Sequence, residues 1–300
     1  MKKTCLLLFL IALTLFNSGC SKDAMSLFEA VVPPVDKRFN KSLYYNEEHG
    51  YPVLKVKDDN YRIYVCTDTH VKDSTTTLRK FIQLYHDDKD CPAAVHLGDL
   101  IESDETYRTF VQAFDDTPAS PSKHDTMFVT IGNHDIFYKQ WYDYTYFWPT
   151  STYYFVVESE GKTKAKDLYI CLDSAQGKIG YLQMKWLRNF RPEWFGSFRH
   201  VIVFTHVNIF RRENTSADIS TTALEETYEL MWLFSEYGVK QFWAGHDHSR
   251  EEFTEGGVKY IIVDSMQDGN PEAAYMILHV GSQLNNTFHF INERDSDENI

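Results

Sequence analysis

Five short apolar runs in this chain each end on a turn that carries Asp, His or Asn, and this recurrence limits the possible folds more than any other feature. Tyr61–Cys66 runs into Thr67-Asp68-Thr69-His70, and Ala93–Leu97 into Gly98-Asp99. Met127–Ile131 runs into Gly132-Asn133-His134-Asp135, His200–Phe204 into Thr205-His206, and Val239–Trp243 into Gly245-His246-Asp247-His248. A sixth run, Leu168–Leu172, ends on Asp173-Ser174. Between them, Leu78, Phe81, Ile82 and Tyr85 share one helical face, and helical patterns cover Tyr181–Phe190 and Ala223–Tyr237. Towards the C-terminus Glu252–Thr254, Val258–Val263, Ala273–Val280 and Thr287–Ile291 read as successive strands, the first two joined by the turn signal Glu255-Gly256-Gly257. Alternating strands and helices followed by consecutive strands predict a layered α/β domain with mixed sheets.

A single Asp or Asn after a strand is ordinary turn chemistry. Five strand ends that together deliver Asp68, His70, Asp99, Asn133, His134, His206, His246 and His248 are not. Ligand sites collect at the carboxyl ends of strands in such sheets. Carboxylate, amide oxygen and imidazole together suit Mn, Fe, Zn or Co better than Ca or Mg, which prefer oxygen shells. Two such ions, with a carboxylate giving one oxygen to each, lower the pKa of a shared water and supply hydroxide for in-line attack on phosphorus.

The set Asp68-Thr-His70, Gly98-Asp99, Gly132-Asn-His-Asp135, His206 and Gly245-His-Asp-His248 resembles the calcineurin-like metallophosphoesterase signature, in the family's order. Leu172-Asp-Ser174, Gly180, Gln183 and Trp186-Leu187 are similar to a secondary stretch of that family. The resemblance implies a two-sheet β-sandwich core flanked by helices, a four-layer α/β/β/α arrangement, and a hydrolase of phosphate mono- or diesters. It implies that Asp68, His70 and His248 hold one divalent ion, that Asn133, His206 and His246 hold another, and that Asp99 bridges them. His134 matches the histidine that contacts substrate phosphate together with Asn133 and protonates the leaving group. Asp135 would orient that imidazole, with a helix N-cap as its plainer role. His70, and the lack of a tyrosine after Asp99, set the chain apart from purple acid phosphatases. A cyclic-nucleotide phosphodiesterase is the nearest alternative, and a non-enzymatic surface lipoprotein with structural metals is the alternative of another class.

Other features are weaker. Arg211 and Arg212 could fork onto a substrate phosphate or be a solvated pair. The aromatic stretch between Phe137 and Phe155 reads chiefly as packing under a long loop, His96 as a core histidine, and Lys162, Lys164 and Lys166 as a solvated turn.

The N-terminus reads as an export signal. Lys2 and Lys3 precede an apolar run from Cys5 to Phe16 that is too short to span a bilayer, and Asn17-Ser18-Gly19-Cys20 resembles a bacterial lipobox. That resemblance implies cleavage before Cys20 and a lipid on its thiol, hence anchorage to a membrane of the cell envelope; Ser21-Lys22-Asp23 resembles a surface-display signal. The expected organisation is a signal peptide over 1–19, a tether over 20–41, a phosphoesterase domain over 42–293 and an acidic tail over 294–300. Without Lys2 and Lys3 the chain has 28 basic against 43 acidic residues, a net −15. Such a balance repels long nucleic acid. Cys66, Cys91 and Cys171 form no disulfide framework.

Overall fold

Alternate residues of strand β2 (Tyr61–Cys66) belong to different cores, and this pattern organises the domain. Tyr61, Ile63 and Val65 face the interior between two sheets, whereas Tyr64 and Cys66 face a layer of helices. Burial of both faces is what a near-continuous apolar strand encodes. The computed structural model describes residues 32–103, 106–117, 127–137, 140–209 and 224–292, and the statements below concern these residues.

Besides β2, the strands are β1 (Val53–Val56), β3 (Ala93–His96), β4 (Met127–Val129), β5 (Tyr153–Ser159), β6 (Lys166–Cys171), β7 (His200–Phe204), β8 (Gln241–Ala244), β9 (Glu251–Glu255), β10 (Val258–Ile262), β11 (Ala274–Val280) and β12 (Leu284–Phe290). One sheet has the order β1-β5-β6-β7-β8-β10-β9 and the other β12-β11-β2-β3-β4. Parallel ladders β2–β3–β4 and β6–β7–β8–β10 form the centres, while β5–β6, β9–β10, β11–β12 and β2–β11 are antiparallel.

The helices are α1 (Val35–His49), α2 (Thr76–Asp87), α3 (Tyr107–Asp115), α4 (Gln140–Phe147), α5 (Tyr181–Arg188), α6 (Pro192–Phe195) and α7 (Leu224–Glu236). Leu78, Phe81, Ile82 and Tyr85 of α2 cover the five-stranded sheet with residues of α3 and α4, as the helical spacing predicted. Met184, Leu187, Phe195, Leu230, Leu233 and Phe234 cover the seven-stranded sheet. Between the sheets lie Ile63, Val95, Phe155, Tyr169, Phe204 and Trp243. The order of layers is therefore helices, sheet, sheet, helices, and the expected fold class holds.

Two expectations need correction. The tether does not reach residue 41, because α1 begins at Val35 directly after Pro33-Pro34 and buries Val35, Arg38, Phe39 and Ser42. Arg38 resembles linker charge in sequence, but it forms a buried fork onto Asp173, with Nη2–Oδ1 at 2.6 Å and Nε–Oδ2 at 2.7 Å. Most of the aromatic stretch packs, as expected, but against helices and sheet and not under one long loop. It contains α4 and the first three residues of β5, and it buries Trp141, Tyr144, Trp148, Tyr153 and Phe155 while Tyr142 and Tyr146 stay exposed.

Candidate metal centre

The ligand candidates sit on turns whose backbone is forced into an uncommon shape. Six non-glycine residues have positive φ, and five of them are Asp68 (51°), His70 (41°), Asp99 (54°), His246 (69°) and His248 (48°). The left-handed region costs an L-residue roughly 1–2 kcal/mol, and such outliers persist where surrounding structure over-determines them. The packing around them is close enough to do so. At Gly132 a Cβ would collide with the backbone and carboxylate of Asp99, so only glycine lets these two turns meet.

Each carboxylate divides its oxygens between the fold and the site. Asp68 Oδ2 accepts the hydroxyl of Thr67 at 2.6 Å and the backbone N–H of His246 at 2.9 Å. Its Oδ1 is left facing His248 Nε2 at 3.1 Å and His70 Nε2 at 3.7 Å. Asp99 Oδ1 accepts the backbone N–H of His134 at 2.8 Å. Asp99 Oδ2 lies 3.7 Å from His70 Nε2 and 3.3 Å from His206 Nε2. One oxygen of Asp99 therefore borders both donor groups, instead of one oxygen serving each.

The imidazoles are similarly directed. His206 Nδ1 donates to the carbonyl of Leu97 at 2.9 Å, which directs Nε2 into the site. That Nε2 meets Asn133 Oδ1 at 3.0 Å and His246 Nδ1 at 3.2 Å. His70 and His248 bring their Nε2 atoms within 3.3 Å. Donor atoms of Asp68, His70 and His248 gather within 4.8 Å of one another, as do those of Asp99, His206 and His246. His134, His70 and Asp99 form a third such group, which places the His134 ring at the margin of both.

Electrostatics favour a cation here. Asp68 and Asp99 are fully buried, and burial alone would raise their pKa values. Hydrogen bonds from His248 and His70 hold Asp68 well below the usual carboxylate range, and His206 lowers Asp99. Burial opposes charge on His206, yet the adjacent Asp99 raises it to about 9, whereas burial and His206 push His246 down to about 4. Buried carboxylates that draw positive charge from a neighbouring imidazole, in a mixed O/N donor set, fit transition-type divalent ions.

The site residues from the sequence fall into three classes. Asp68, His70, Asp99, Asn133, His134, His206, His246 and His248 are brought together. Arg211, Arg212 and Cys20 lie outside the described residues. Asp135 is buried close by but performs neither expected role. Its carboxylate accepts the backbone N–H groups of Asp99 at 2.8 Å, Leu100 at 3.1 Å and Gly132 at 2.9 Å, together with the Tyr107 hydroxyl at 3.2 Å. It ties the Asp99 turn to the Asn133 turn. Burial, with Asp99 nearby, raises its pKa to about 7.

The side chain that does approach His134 is Glu102, which the sequence reading passed over. Glu102 Oε2 lies 3.9 Å from His134 Nδ1 and 3.1 Å from His70 Nδ1, the latter out of line for a hydrogen bond. The available signal was its position three residues after Asp99 on the same turn. Ser174 was noted in sequence without a role. Its hydroxyl oxygen accepts Thr205 Oγ1 at 2.6 Å and the Val207 N–H at 2.8 Å, bracketing His206 from both sides. His96 is a satisfied core residue, as expected.

A family model for the calcineurin-like phosphoesterases matches residues 61–250. No curated protein matches the chain. Among solved structures, a dimetal phosphatase from Danio rerio is 13% identical with a TM-score of 0.56, covering 78% of this chain and 97% of that one. GAP50, the anchor in the inner membrane complex of Plasmodium, is 12% identical with a TM-score of 0.59, covering 79% and 86%. A purple acid phosphatase from yellow lupin is 12% identical with a TM-score of 0.53, covering 79% and 52%. At these identities the likeness is one of fold. Chemistry must be read from the side chains.

Proposed function

The chain belongs to the calcineurin-like phosphoesterase family and is a phosphoester hydrolase, and from that premise we propose that it works with two divalent ions. Asp68, His70 and His248 would hold one, Asn133, His206 and His246 the other, and Asp99 Oδ2 would serve both. The observation that carries this reading is the position of that single oxygen, 3.7 Å from His70 Nε2 and 3.3 Å from His206 Nε2. Bound ions of this kind supply Lewis acidity and hydroxide near neutral pH.

The remaining work falls to the chain's own residues. His134 reaches the margin of both donor groups and is 30% exposed, so its ring can meet a substrate from solvent. It is the proposed proton donor to the leaving oxygen. Burial lowers the pKa of this imidazole, and Glu102, 3.9 Å from its Nδ1, acts in the opposite direction and favours the protonated ring. Asn133, whose Oδ1 faces His206, would donate its amide N–H to a phosphoryl oxygen. The export signal and Cys20 support a lipid-anchored enzyme of the cell envelope. Its substrates would then be phosphate mono- or diesters outside the cytoplasm.

The test is a panel of mono- and diesters offered to metal-stripped enzyme reloaded separately with Mn, Zn, Fe or Co. Turnover with at least one ion is expected, at two ions per chain. Asp99→Asn should lower metal content and reduce turnover to background. Two ions retained at full turnover in that variant would sink the shared-ligand assignment, and no turnover of any ester with any ion would favour a non-enzymatic binding protein.

A further inference from the structure

The five turns that carry the candidate ligands are joined to one another in different ways. Main-chain bonds zip the Asp68/His70 turn to the Asp99 turn. The N–H groups of Asp68, His70 and Val71 donate to the carbonyls of Gly98, Asp99 and Leu100 at 3.0, 3.1 and 2.9 Å. The His206 and His246 turns are joined likewise, Thr205 N–H to the Trp243 carbonyl at 3.0 Å and Gly245 N–H to the His206 carbonyl at 2.9 Å. The turn of Asn133 and His134 is different. Its strand makes a last main-chain bond to the β3 side at Thr130, whose N–H donates to the His96 carbonyl at 2.9 Å. Among the described residues, no main-chain bond joins Gly132–Asp135 to another of these turns.

A buried carboxylate takes over that task. Asp135 Oδ2 accepts the N–H of Asp99 at 2.8 Å and the N–H of Gly132 at 2.9 Å, so a single oxygen grips both turns. Asp135 Oδ1 accepts the N–H of Leu100 at 3.1 Å, a second hold on the Asp99 side. The link is reciprocal, because Asp99 Oδ1 accepts the N–H of His134 at 2.8 Å. Asp99 is thereby held at its main chain and at one carboxylate oxygen, which leaves Oδ2 for the site.

What this clamp fixes is one half of the centre. Asn133 Oδ1 and Asp99 Oδ2 approach the same nitrogen, His206 Nε2, at 3.0 and 3.3 Å, and their separation depends on how the two turns are held. The other half stands without Asp135. Its turn is zipped by main-chain bonds, and His248 Nε2 reaches Asp68 Oδ1 directly at 3.1 Å.

We propose that Asp135 is a positioning residue for one ion only, the ion assigned to Asn133, His206 and His246. The ion assigned to Asp68, His70 and His248 is held independently of it. The proposal rests on the two-ion reading and adds an asymmetry to it: without the clamp the chain keeps one ion and loses the other. Partners that orient a ligand from behind typically control 10- to 100-fold in metal affinity. Here that control falls on a single ion, because only one turn lacks main-chain bonds of its own.

Titration of metal-stripped protein with Zn tests this. Wild type should take up two ions, and Asp135→Ala should bind one as before and the other about 10- to 100-fold more weakly. Adding His248→Ala to that variant should remove the remaining ion, whereas adding His246→Ala should not. Asp135→Asn should fall between, because its amide oxygen can replace Oδ2 and accept both N–H groups, without the strength of a charge-assisted bond. Should Asp135→Ala not fold, Asp135→Asn carries the test, with one ion weakened and the other unchanged. In the metal-free protein, amide exchange should quicken at Asp99 and Gly132 in the variants and stay as in wild type at Asp68 and Val71. Two ions bound with unchanged affinity, or both weakened alike, would overturn the positioning role while the two-ion reading stands. Fewer than two ions on wild type would overturn that reading, and this proposal with it.

Discussion

Glu102 Oε2 stands 3.1 Å from His70 Nδ1, on the side of the ring opposite the nitrogen that faces Asp68 and Asp99. A carboxylate in that place favours positive charge on the ring and so raises the basicity of an imidazole that serves as a ligand. Glu102→Gln is therefore expected to weaken metal binding 10- to 100-fold, the range typical of such partners. Titration of stripped protein with Zn or Mn would measure it. Unchanged affinity would confine Glu102 to the His134 side.

His134 touches both donor groups but belongs at their margin. His134→Ala is expected to keep the full metal content while the rate falls about 10²- to 10⁴-fold, the usual range for a lost general acid. The loss should shrink for esters with leaving groups of low pKa, which need little protonation. Equal losses for nitrophenyl and alkyl esters would contradict the assigned role.

His96 contributes a pH dependence that can be isolated. Its Nδ1 accepts the Gly98 N–H at 3.2 Å and its Nε2 donates to Thr69 Oγ1 at 3.0 Å, so the folded protein holds a neutral ring, and burial lowers its pKa to about 3. The unfolded value is about 6.5. The folded pKa is thus the lower one, and its contribution is complete above about pH 6.5 and is lost as pH falls towards 3. The slope is at most about 1.4 kcal/mol per pH unit. Urea unfolding of metal-free wild type and His96→Gln across this window should show a flatter dependence in the variant.

Arg38 and Asp173 are both fully buried and paired. Arg38→Met leaves the Asp173 carboxylate without its partner, and breaking a buried pair in this way costs about 3–5 kcal/mol. Thermal unfolding would report the loss. Asp173→Asn in the same background should restore part of it, because the orphaned charge is then gone.

The candidate ligands that the structure brings together were legible in sequence for a local reason. Each follows an apolar run, and a run plus its turn can be read without knowing the rest of the fold. What sequence hid was long-range. Arg38 reads as linker charge until Asp173, 135 positions away, is placed against it. Asp135 sits beside a catalytic candidate, yet its carboxylate is used by backbone donors 35 and 36 residues upstream. β1 was missed because it is defined by its pairing, Val53–Val56 against Val156–Ser159, and not by a strong pattern of its own, whereas β5 has the β-rich run Tyr153–Val157 but begins inside the aromatic stretch read as loop packing. Glu102 lay within reach of a local reading, but a carboxylate on a turn has no distinguishing mark until the rings of His70 and His134 are positioned around it.

The left-handed backbone at Asp68, His70, Asp99, His246 and His248 also bears on engineering. Copying the seven candidate ligand side chains onto the strand ends of another scaffold would not reproduce this arrangement, because ordinary extended or helical turns would aim the same groups elsewhere. A designer would have to transplant the turns first, with Gly132 to let two of them touch, and only then the chemistry.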